Sequence, residues 1–188
     1  ELMKTYIKIF ALLTCLISSL QSFAYDFEAV NSDGVTMYYN ILSEEDKTCE
    51  VDYGSHDSSG AANIPSSVTN SGTTYSVTSI GEWAFSGLIE LTSVTIPNSV
   101  KSIGYAAFSE CTGLESITIP NSVISIGENP FDSCSSLKAF YGKFASKDNR
   151  CLIVDGSLVA FAQSGLTEYV IPNSVTSIGE SAFAYCTG

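Results

Sequence analysis

The sequence predicts a mainly β fold: a solenoid of coils of about 23 residues with short helical turns, preceded by a small β-meander cap at the N-terminus. Three observations carry this prediction: a string of residues that recurs at fixed spacing, an alternation of apolar and polar residues within each copy, and a high content of small hydroxyl side chains. Of the 188 residues, 30 are Ser and 15 are Thr, whereas only 15% are charged. Such side chains suit exposed strands better than helices, so the polar positions favour β structure.

The repeat is a nine-residue string that begins Val-x-Ser-Ile-Gly and ends in Phe. It occupies residues 77–85, 100–108, 123–131 and 175–183. The steps between copies are 23, 23 and 52 residues, and the last step equals one coil of 23 plus a longer unit of 29. Fixed spacing of this kind indicates a structural unit that stacks on its neighbours.

Within one coil, each segment has a predicted role. Residues 91–96 alternate apolar and polar side chains, as a short strand does. Residues 97–99, Pro-Asn-Ser, turn the chain because proline cannot donate to a continuing ladder. Gly104 allows the next bend, and apolar residues at three-residue spacing across residues 107–114 predict a tight helical turn. One coil cannot bury its apolar side chains alone, so coils should stack about 4.8 Å apart.

Stacking at this spacing brings residues of the same phase together. Phe85, Phe108 and Phe131 are therefore expected to form a continuous ladder in the core. The longer unit, at about residues 137–165, contains two apolar runs on either side of Asp-Gly, within residues 151–161. Asp-Gly between apolar runs is a strong hairpin signal, and this hairpin replaces the missing Ile-Pro-Asn-Ser return.

The chain before the repeats divides into a leader and a cap. Residues 1–24 are predicted to be a secretory signal peptide, because Lys4 and Lys8 precede an apolar stretch at residues 9–20 and a small-x-small site at residues 22–24. A membrane anchor is the less favoured alternative, since about a dozen apolar residues are too few for a span of roughly 20.

Residues 25–63 are expected to form the cap, and residues 64–188 the repeats. Three strand-like runs in the first range suit a meander over the open edge of the first coil: residues 25–30, 35–41 and 49–53. The sequence stops at Gly188 before the Leu that would open another strand, so we expect the array to continue beyond it.

The repeating unit resembles a known family. The pattern Ser-Ile-Gly-x-x-Ala-Phe-x-x-Cys-x-x-Leu-x-x-Ile-x-Ile-Pro-Asn-Ser-Val is similar to the leucine-rich repeats of the Bacteroides surface protein A (BspA) type, also called the Treponema pallidum type. Leu88 and Pro130 depart from it, where other copies have Cys and Ala. The resemblance implies a leucine-rich-repeat solenoid in a cell-surface or secreted protein, which in some members is an adhesin for host matrix proteins or other cells.

The charge balance restricts the partners. Eight Lys and Arg against 20 Asp and Glu give a formal net charge of −12, which repels phosphate backbones, so no nucleic-acid binding is expected. Membrane contact is expected only through an anchor, for which a lipidated Cys15 is a minor alternative to cleavage of the leader. We expect an exported protein at the cell surface, on the outer membrane, or in the extracellular medium.

No catalytic, cofactor-binding or metal site is predicted. Cys111, Cys134 and Cys186 share one phase with Leu88, which favours buried thiols over a bridge between the first two. His56 is the only histidine, and it lies in a Gly- and Ser-rich segment that reads as a solvated loop. The sequence also contains no nucleophile elbow, phosphate loop or dinucleotide fingerprint.

Recognition is the expected function, and the outward positions of successive strands are the candidate surface. These positions vary while the scaffold positions repeat. Such variation is expected if the side chains determine which ligand is bound, and it is equally expected if nothing constrains them. The candidate ligand-face residues are Thr92, Thr95, Glu115, Thr118, Lys138, Tyr141 and Glu168. Trp83 and Tyr105, at the turn, are either further contact points or a cover for the core.

The expected partner is an extracellular protein or another cell surface. A stack of short strands offers a rigid face that can hold a partner through many weak contacts. One alternative is a structural stalk that presents a further C-terminal domain. Another is a glycan-binding surface protein, for which Tyr141 is the one exposed aromatic expected on the strand face.

Overall fold

A computed structural model of the chain describes residues 25–52, 54, 60–184 and 186. These residues form fourteen strands and no helix. The strands are β1 (Phe27–Val30), β2 (Thr36–Ser43), β3 (Thr48–Asp52), β4 (Gly60–Asn63), β5 (Ser67–Asn70), β6 (Thr73–Ile80), β7 (Leu91–Thr95), β8 (Ser102–Ile103), β9 (Ser116–Ile119), β10 (Ser125–Ile126), β11 (Ala139–Gly142), β12 (Cys151–Val154), β13 (Ser157–Phe161) and β14 (Ser177–Ile178). In this part of the chain no segment is a helix long and apolar enough to cross a bilayer.

The cap is the antiparallel meander β1-β2-β3. Its last strand pairs in parallel with β6, with Cys49 opposite Val77 and Val51 opposite Ile80. The sheet then continues through β8 to β10, in the order β1-β2-β3-β6-β8-β10. The cap therefore covers the open edge of the first coil, as predicted, and so protects its unpaired backbone groups.

A hairpin that the repeat pattern does not predict leads into the first coil. β5 pairs with β6 in antiparallel register, and the two strands are joined by Ser71 and Gly72. Both turn residues have positive φ, 48° and 85°, as a type I′ turn requires. β4 (Gly60–Asn63) pairs with β7, although the sequence places residues 25–63 in the cap.

The short strands of the coils stack in register along one side of the solenoid. Ser79 lies opposite Ser102, and Ile80 lies opposite Ile103. The next pair repeats this, with Ser125 opposite Ser102. The Ser102 hydroxyl donates a hydrogen bond of 2.9 Å to the Ser79 hydroxyl. The stacked Val-x-Ser-Ile-Gly strings thus form a parallel ladder of one short strand per coil.

The predicted phenylalanine ladder is confirmed. The ring centroids of Phe85 and Phe108 lie 5.2 Å apart with an angle of 8° between the planes. Those of Phe108 and Phe131 lie 5.4 Å apart with an angle of 5°. Phe140 then meets Phe131 edge to face at 5.3 Å. All four rings are buried, so the core runs lengthwise along the solenoid.

The segments predicted as short helical turns are series of separate turns. The amides of Ser109, Cys111 and Leu114 each bond to the carbonyl three residues earlier. Just before these turns, the amide of Phe108 bonds to the Pro130 carbonyl in the next coil at 2.9 Å. Ala106 has φ 49° and Glu110 has φ 60°. These left-handed residues interrupt the helical path, and so the chain bonds between coils instead of along a helix.

The predicted hairpin of the longer unit is confirmed. β12 and β13 pair in antiparallel register around Asp155 and Gly156, whose φ values are 49° and 82°. β13 also pairs in parallel with β14, where Ser157 lies opposite Ser177. The second hairpin strand thus takes the place that a Ser-Ile strand occupies in other coils.

Residues 166–171 share the phase of residues 91–96, which predicts a strand in this segment, but the prediction is wrong. This segment forms no strand, and Val170 is 89% exposed. The cause is competition for the free edge of β11. The amide of Phe140 bonds to the Asn149 carbonyl at 2.7 Å, and the amide of Ser164 bonds to the Leu137 carbonyl at 3.1 Å. The longer unit itself therefore covers the edge that residues 166–171 would need.

Candidate ligand-binding face

The strand face is the surface formed by β4, β7, β9 and β11. β4 pairs in parallel with β7, and β9 pairs in parallel with β11, so the face consists of two separate two-stranded sheets. Inward side chains such as Leu91, Ile117 and Phe140 are buried. The alternation of the strands turns their neighbours toward solvent. Six of the seven candidate residues lie on or beside these strands.

The first row of the strand face runs across the start of the strands and contains Thr92, Glu115 and Lys138. The Thr92 hydroxyl donates a hydrogen bond of 2.6 Å to the Gly60 carbonyl on the neighbouring strand. The Lys138 ammonium lies 2.8 Å from the Glu115 carboxylate. Exposed ion pairs of this kind contribute only about 0–1 kcal/mol to stability, so both charges stay available to a partner.

The second row runs across the ends of the strands and contains Thr95, Thr118 and Tyr141. Thr118 lies directly opposite Tyr141 in the β9–β11 register. Thr95 lies opposite Asn63 in the β4–β7 register. All three candidate side chains are exposed, and Tyr141 is 45% exposed. The row thus combines two hydroxyls with one aromatic ring.

A groove of about 440 Å³ opens between the two sheets of the strand face. Its walls come from the same phases of successive coils: Thr95, Ile96 and Asn98 on one side, and Thr118, Ile119 and Asn121 on the other. The coils are close where the strands begin, because a Cβ on Gly113 would lie 2.6 Å from the Ile89 carbonyl oxygen. β7 and β9 thus start in contact but do not pair, and the groove lies at their ends. Its volume is in the range of ordinary ligand sites.

Sequence reasoning missed this groove because the equal 23-residue spacing predicts one continuous ladder. In the structure, β7 pairs with β4 on one side, and β9 pairs with β11 on the other. The signal that bears on the groove is the identical Thr-Ile-Pro-Asn at residues 95–98 and 118–121. The identical residues show which positions of the two coils face each other, but they do not show how far apart the two strands lie.

Glu168 is the candidate that the structure does not bring to the others. It is exposed, but it belongs to the segment 166–171, which forms no strand. Its neighbour Tyr169 is held elsewhere, since its hydroxyl donates a hydrogen bond of 2.8 Å to Asp148. The Cys151 thiol in turn donates to the Tyr169 hydroxyl at 3.3 Å. These contacts hold the segment against the longer unit, and so it does not extend the strand face.

Two of the three cysteines that share one phase, Cys111 and Cys134, are buried, free thiols that bond to the backbone of the preceding coil. The third, Cys186, is exposed, so the prediction of a buried thiol is wrong for this residue. The Cys111 thiol lies 3.0 Å from the Phe85 carbonyl, and the Cys134 thiol lies 3.1 Å from the Phe108 carbonyl. Burial raises the pKa of Cys111 to about 12, and burial also raises that of Cys134. Both stay protonated near neutral pH, so they act as small core residues and not as nucleophiles.

The remaining chemical candidates give no site. His56 and the leader at residues 1–24 lie outside the described residues. Over residues 25–52, 54, 60–184 and 186, no group of three His, Cys, Asp or Glu side chains could hold a metal ion. Burial raises the pKa of Cys49 to about 12, so this thiol is also protonated at neutral pH.

Comparison with solved structures shows several leucine-rich repeat proteins. A leucine-rich repeat protein from Bacteroides capillosus is 32% identical over 57% of this chain and 94% of its own, with a TM-score of 0.44. The T. pallidum leucine-rich repeat protein is 27% identical over 80% of this chain and 64% of its own, with a TM-score of 0.52. A leucine rich cell surface protein from Faecalibacterium prausnitzii is 21% identical over 87% of this chain and 53% of its own, with a TM-score of 0.45.

The chain thus spans less than two thirds of the treponemal and Faecalibacterium proteins. No curated protein matches the sequence significantly. A model of the BspA type leucine-rich repeat region matches residues 62–188 in six copies, which is more than half of the chain. The stacked coils, the phenylalanine ladder and this match agree, and the chain belongs to the BspA-type leucine-rich repeat family.

Proposed function

We propose that the protein is an exported surface protein that binds other proteins through its strand face and has no catalytic activity of its own. The observation that carries this proposal is the strand face itself, where the exposed side chains of Thr95 and Thr118 line a groove of about 440 Å³ at the strand ends and a second row of exposed side chains lies at the strand starts. Rigid faces of this kind can hold a protein through many weak contacts.

The chemistry of the strand face suits a polypeptide. Its first row offers Lys138 and Glu115, which can exchange their mutual ion pair for charges on a partner. Its groove combines the half-buried ring of Pro120 with the exposed amides of Asn98 and Asn121. A partner side chain inserted between the two sheets would meet both apolar contact and hydrogen-bonding groups.

Two further observations support binding at the cell surface over catalysis. The leader pattern of residues 4–24 supports export, since a basic start, an apolar stretch and a small-x-small site occur in that order. Against catalysis, the thiols of Cys49, Cys111 and Cys134 are buried with raised pKa values. A thiol must ionise to act as a nucleophile, and these stay protonated at neutral pH.

A charge placed at the mouth of the groove tests the proposal. Thr118→Arg is expected to weaken binding to an extracellular protein about tenfold or more, because the larger, charged side chain blocks the groove and must be desolvated. The measurement is surface plasmon resonance against immobilised fibronectin, laminin and type I collagen. Ser125→Arg is the matched control, since Ser125 is also an exposed hydroxyl on a strand but lies on the opposite ladder, in β10.

Three outcomes would contradict the proposal. Equal affinities of the Thr118→Arg and Ser125→Arg variants would place the contact surface elsewhere. Failure of the unmodified protein to bind any protein on the panel is expected if the repeats are only a stalk. Binding to glycans but not to proteins would favour the alternative that Tyr141, beside the groove, stacks on a sugar ring.

A further inference from the structure

Two exposed aromatic side chains meet on the turn side of the solenoid, away from the strand face. The ring centroids of Trp83 and Tyr105 lie 5.2 Å apart, with an angle of 70° between the planes. Trp83 is 42% exposed and Tyr105 is 37% exposed. Removal of aromatic surface from water is favourable, so this pair is suited to contact with a partner.

The geometry of the coil does not require a tryptophan at position 83. Trp83 has φ 59°, in the left-handed region that disfavours a bulky side chain. The same phase of other coils holds Ala106, Asn129 and Ser181, with φ values of 49°, 54° and 57°. The backbone conformation is therefore a property of the coil, which accepts small residues at this position. Trp83 is also the only tryptophan of the chain.

Carboxylates flank this aromatic pair along the stack. Glu82 and Glu128 share the phase of Tyr105, one coil before it and one coil after it. The backbones are in close contact here: a Cβ on Gly104 would lie 2.7 Å from the Glu82 nitrogen, and one on Gly127 would lie 2.7 Å from the Tyr105 nitrogen. The phase thus reads Glu-Tyr-Glu in consecutive coils, about 4.8 Å apart.

These carboxylates have no internal counter-charge within the described part of the chain. Its two ion pairs join Lys47 to Glu44 and Lys138 to Glu115, and neither involves Glu82 or Glu128. Both glutamates are exposed. Burial raises the pKa of the nearby Glu50, and the negative charges of Asp52 and Glu82 also raise it. Local charge is therefore negative, and it is complementary to a cation.

We propose that Trp83 and Tyr105, together with Glu82 and Glu128, bind a lysine or arginine side chain on a basic segment of a partner protein. Aromatic faces attract cations, and carboxylates on either side can accept hydrogen bonds from an ammonium or guanidinium group. This site lies on the turn side, so it is independent of the strand face and of the function proposed for it.

Fluorescence of Trp83 gives a direct test, because the chain contains no other tryptophan. Titration with a hexa-arginine peptide at about 0.15 M salt is expected to shift or quench this emission in a saturable way. The same peptide with citrulline in place of arginine retains shape and hydrogen-bonding groups but has no charge. It is expected to produce no saturable change.

Variants distinguish peptide binding at this site from nonspecific attraction between a cationic peptide and an acidic protein. Tyr105→Ala, Glu82→Gln and Glu128→Gln are each expected to weaken hexa-arginine binding about two- to fivefold by calorimetry. Glu180→Gln is the matched control, since Glu180 shares the phase of Glu82 but is followed by Ser181 instead of tryptophan. It is expected to leave the affinity unchanged. Circular dichroism of each variant checks that the fold is retained.

Several results would overturn the proposal. Peptide binding without a change in Trp83 emission would place the peptide elsewhere, and equal weakening by Glu180→Gln and Glu82→Gln would show attraction to net charge alone. An unchanged affinity of Tyr105→Ala would remove the aromatic pair from the site. A larger change in emission with a neutral oligosaccharide than with hexa-arginine would assign the rings to a glycan.

Discussion

Phe108→Ala is expected to lower the free energy of unfolding by about 3 to 5 kcal/mol. Phe108 is fully buried between the rings of Phe85 and Phe131, 5.2 Å and 5.4 Å away. Its removal leaves a cavity in the middle of the ladder, and the coils on either side are tied by backbone hydrogen bonds that limit collapse. Equilibrium denaturation in urea, followed by circular dichroism, measures the loss.

Ile124→Ala is the matched control for this loss. Ile124 is also a large apolar residue of a central coil, but it is 72% exposed. Its truncation is expected to change stability by no more than about 0.5 kcal/mol. A loss below about 1 kcal/mol for Phe108→Ala, or equal losses for the two variants, would show that the ladder is not the core of the solenoid.

Gly104→Ala is expected to destabilise the protein by about 1 to 3 kcal/mol through overpacking. An added Cβ would lie 2.7 Å from the Glu82 nitrogen and 2.9 Å from the Gly81 carbonyl oxygen. Both are backbone atoms of the preceding coil, so relief requires a separation of the two coils. Glycine is therefore needed here for close approach between coils.

Gly179→Ala is the control at the same phase of a later coil. Its added Cβ would lie 3.2 Å from the nearest atom, the Leu158 carbonyl oxygen, and so has more room. Thermal denaturation of the two variants is expected to show the larger loss for Gly104→Ala. A larger loss for Gly179→Ala would contradict the close stacking of the first coils.

Local signals explain the parts of the fold that the sequence predicts. The repeated Val-x-Ser-Ile-Gly string places Ile80 against Ile103, and the same phase argument places Phe85 on Phe108. Asp155-Gly156 is a turn that only a few residues can adopt, so the hairpin of the longer unit is readable without its surroundings. In each case the information lies within a few residues or in one fixed spacing.

Competition between distant segments explains the parts that the sequence does not predict. Residues 166–171 carry the same strand pattern as residues 91–96, yet Asn149 and Ser164 already bond along the edge of β11. A pattern that specifies a strand does not specify whether a partner edge is free. That pattern predicts Glu168 on the strand face, but the residue lies apart from it for this reason.

Six of the seven candidate residues lie on the strand face, as their phases predict, but the shape of that face does not follow from the sequence. The outward phases correctly bring Glu115 beside Lys138 and Thr118 beside Tyr141. The groove depends on the choice of β7 to pair with β4 and of β9 to pair with β11. Such a choice of pairing partner depends on packing along the whole stack. An equal spacing of 23 residues makes every pair of neighbouring coils look alike, so it does not reveal this choice.

Photo-crosslinking from the strand face tests whether this face binds the partner. A benzophenone amino acid is placed at Thr118 in one sample and at Ser125 in another, and each is irradiated with the extracellular protein that binds best. We expect a covalent adduct from position 118, beside the groove, and none from position 125 on the opposite ladder. Adducts from position 125 alone would contradict the assignment of the strand face as the binding surface.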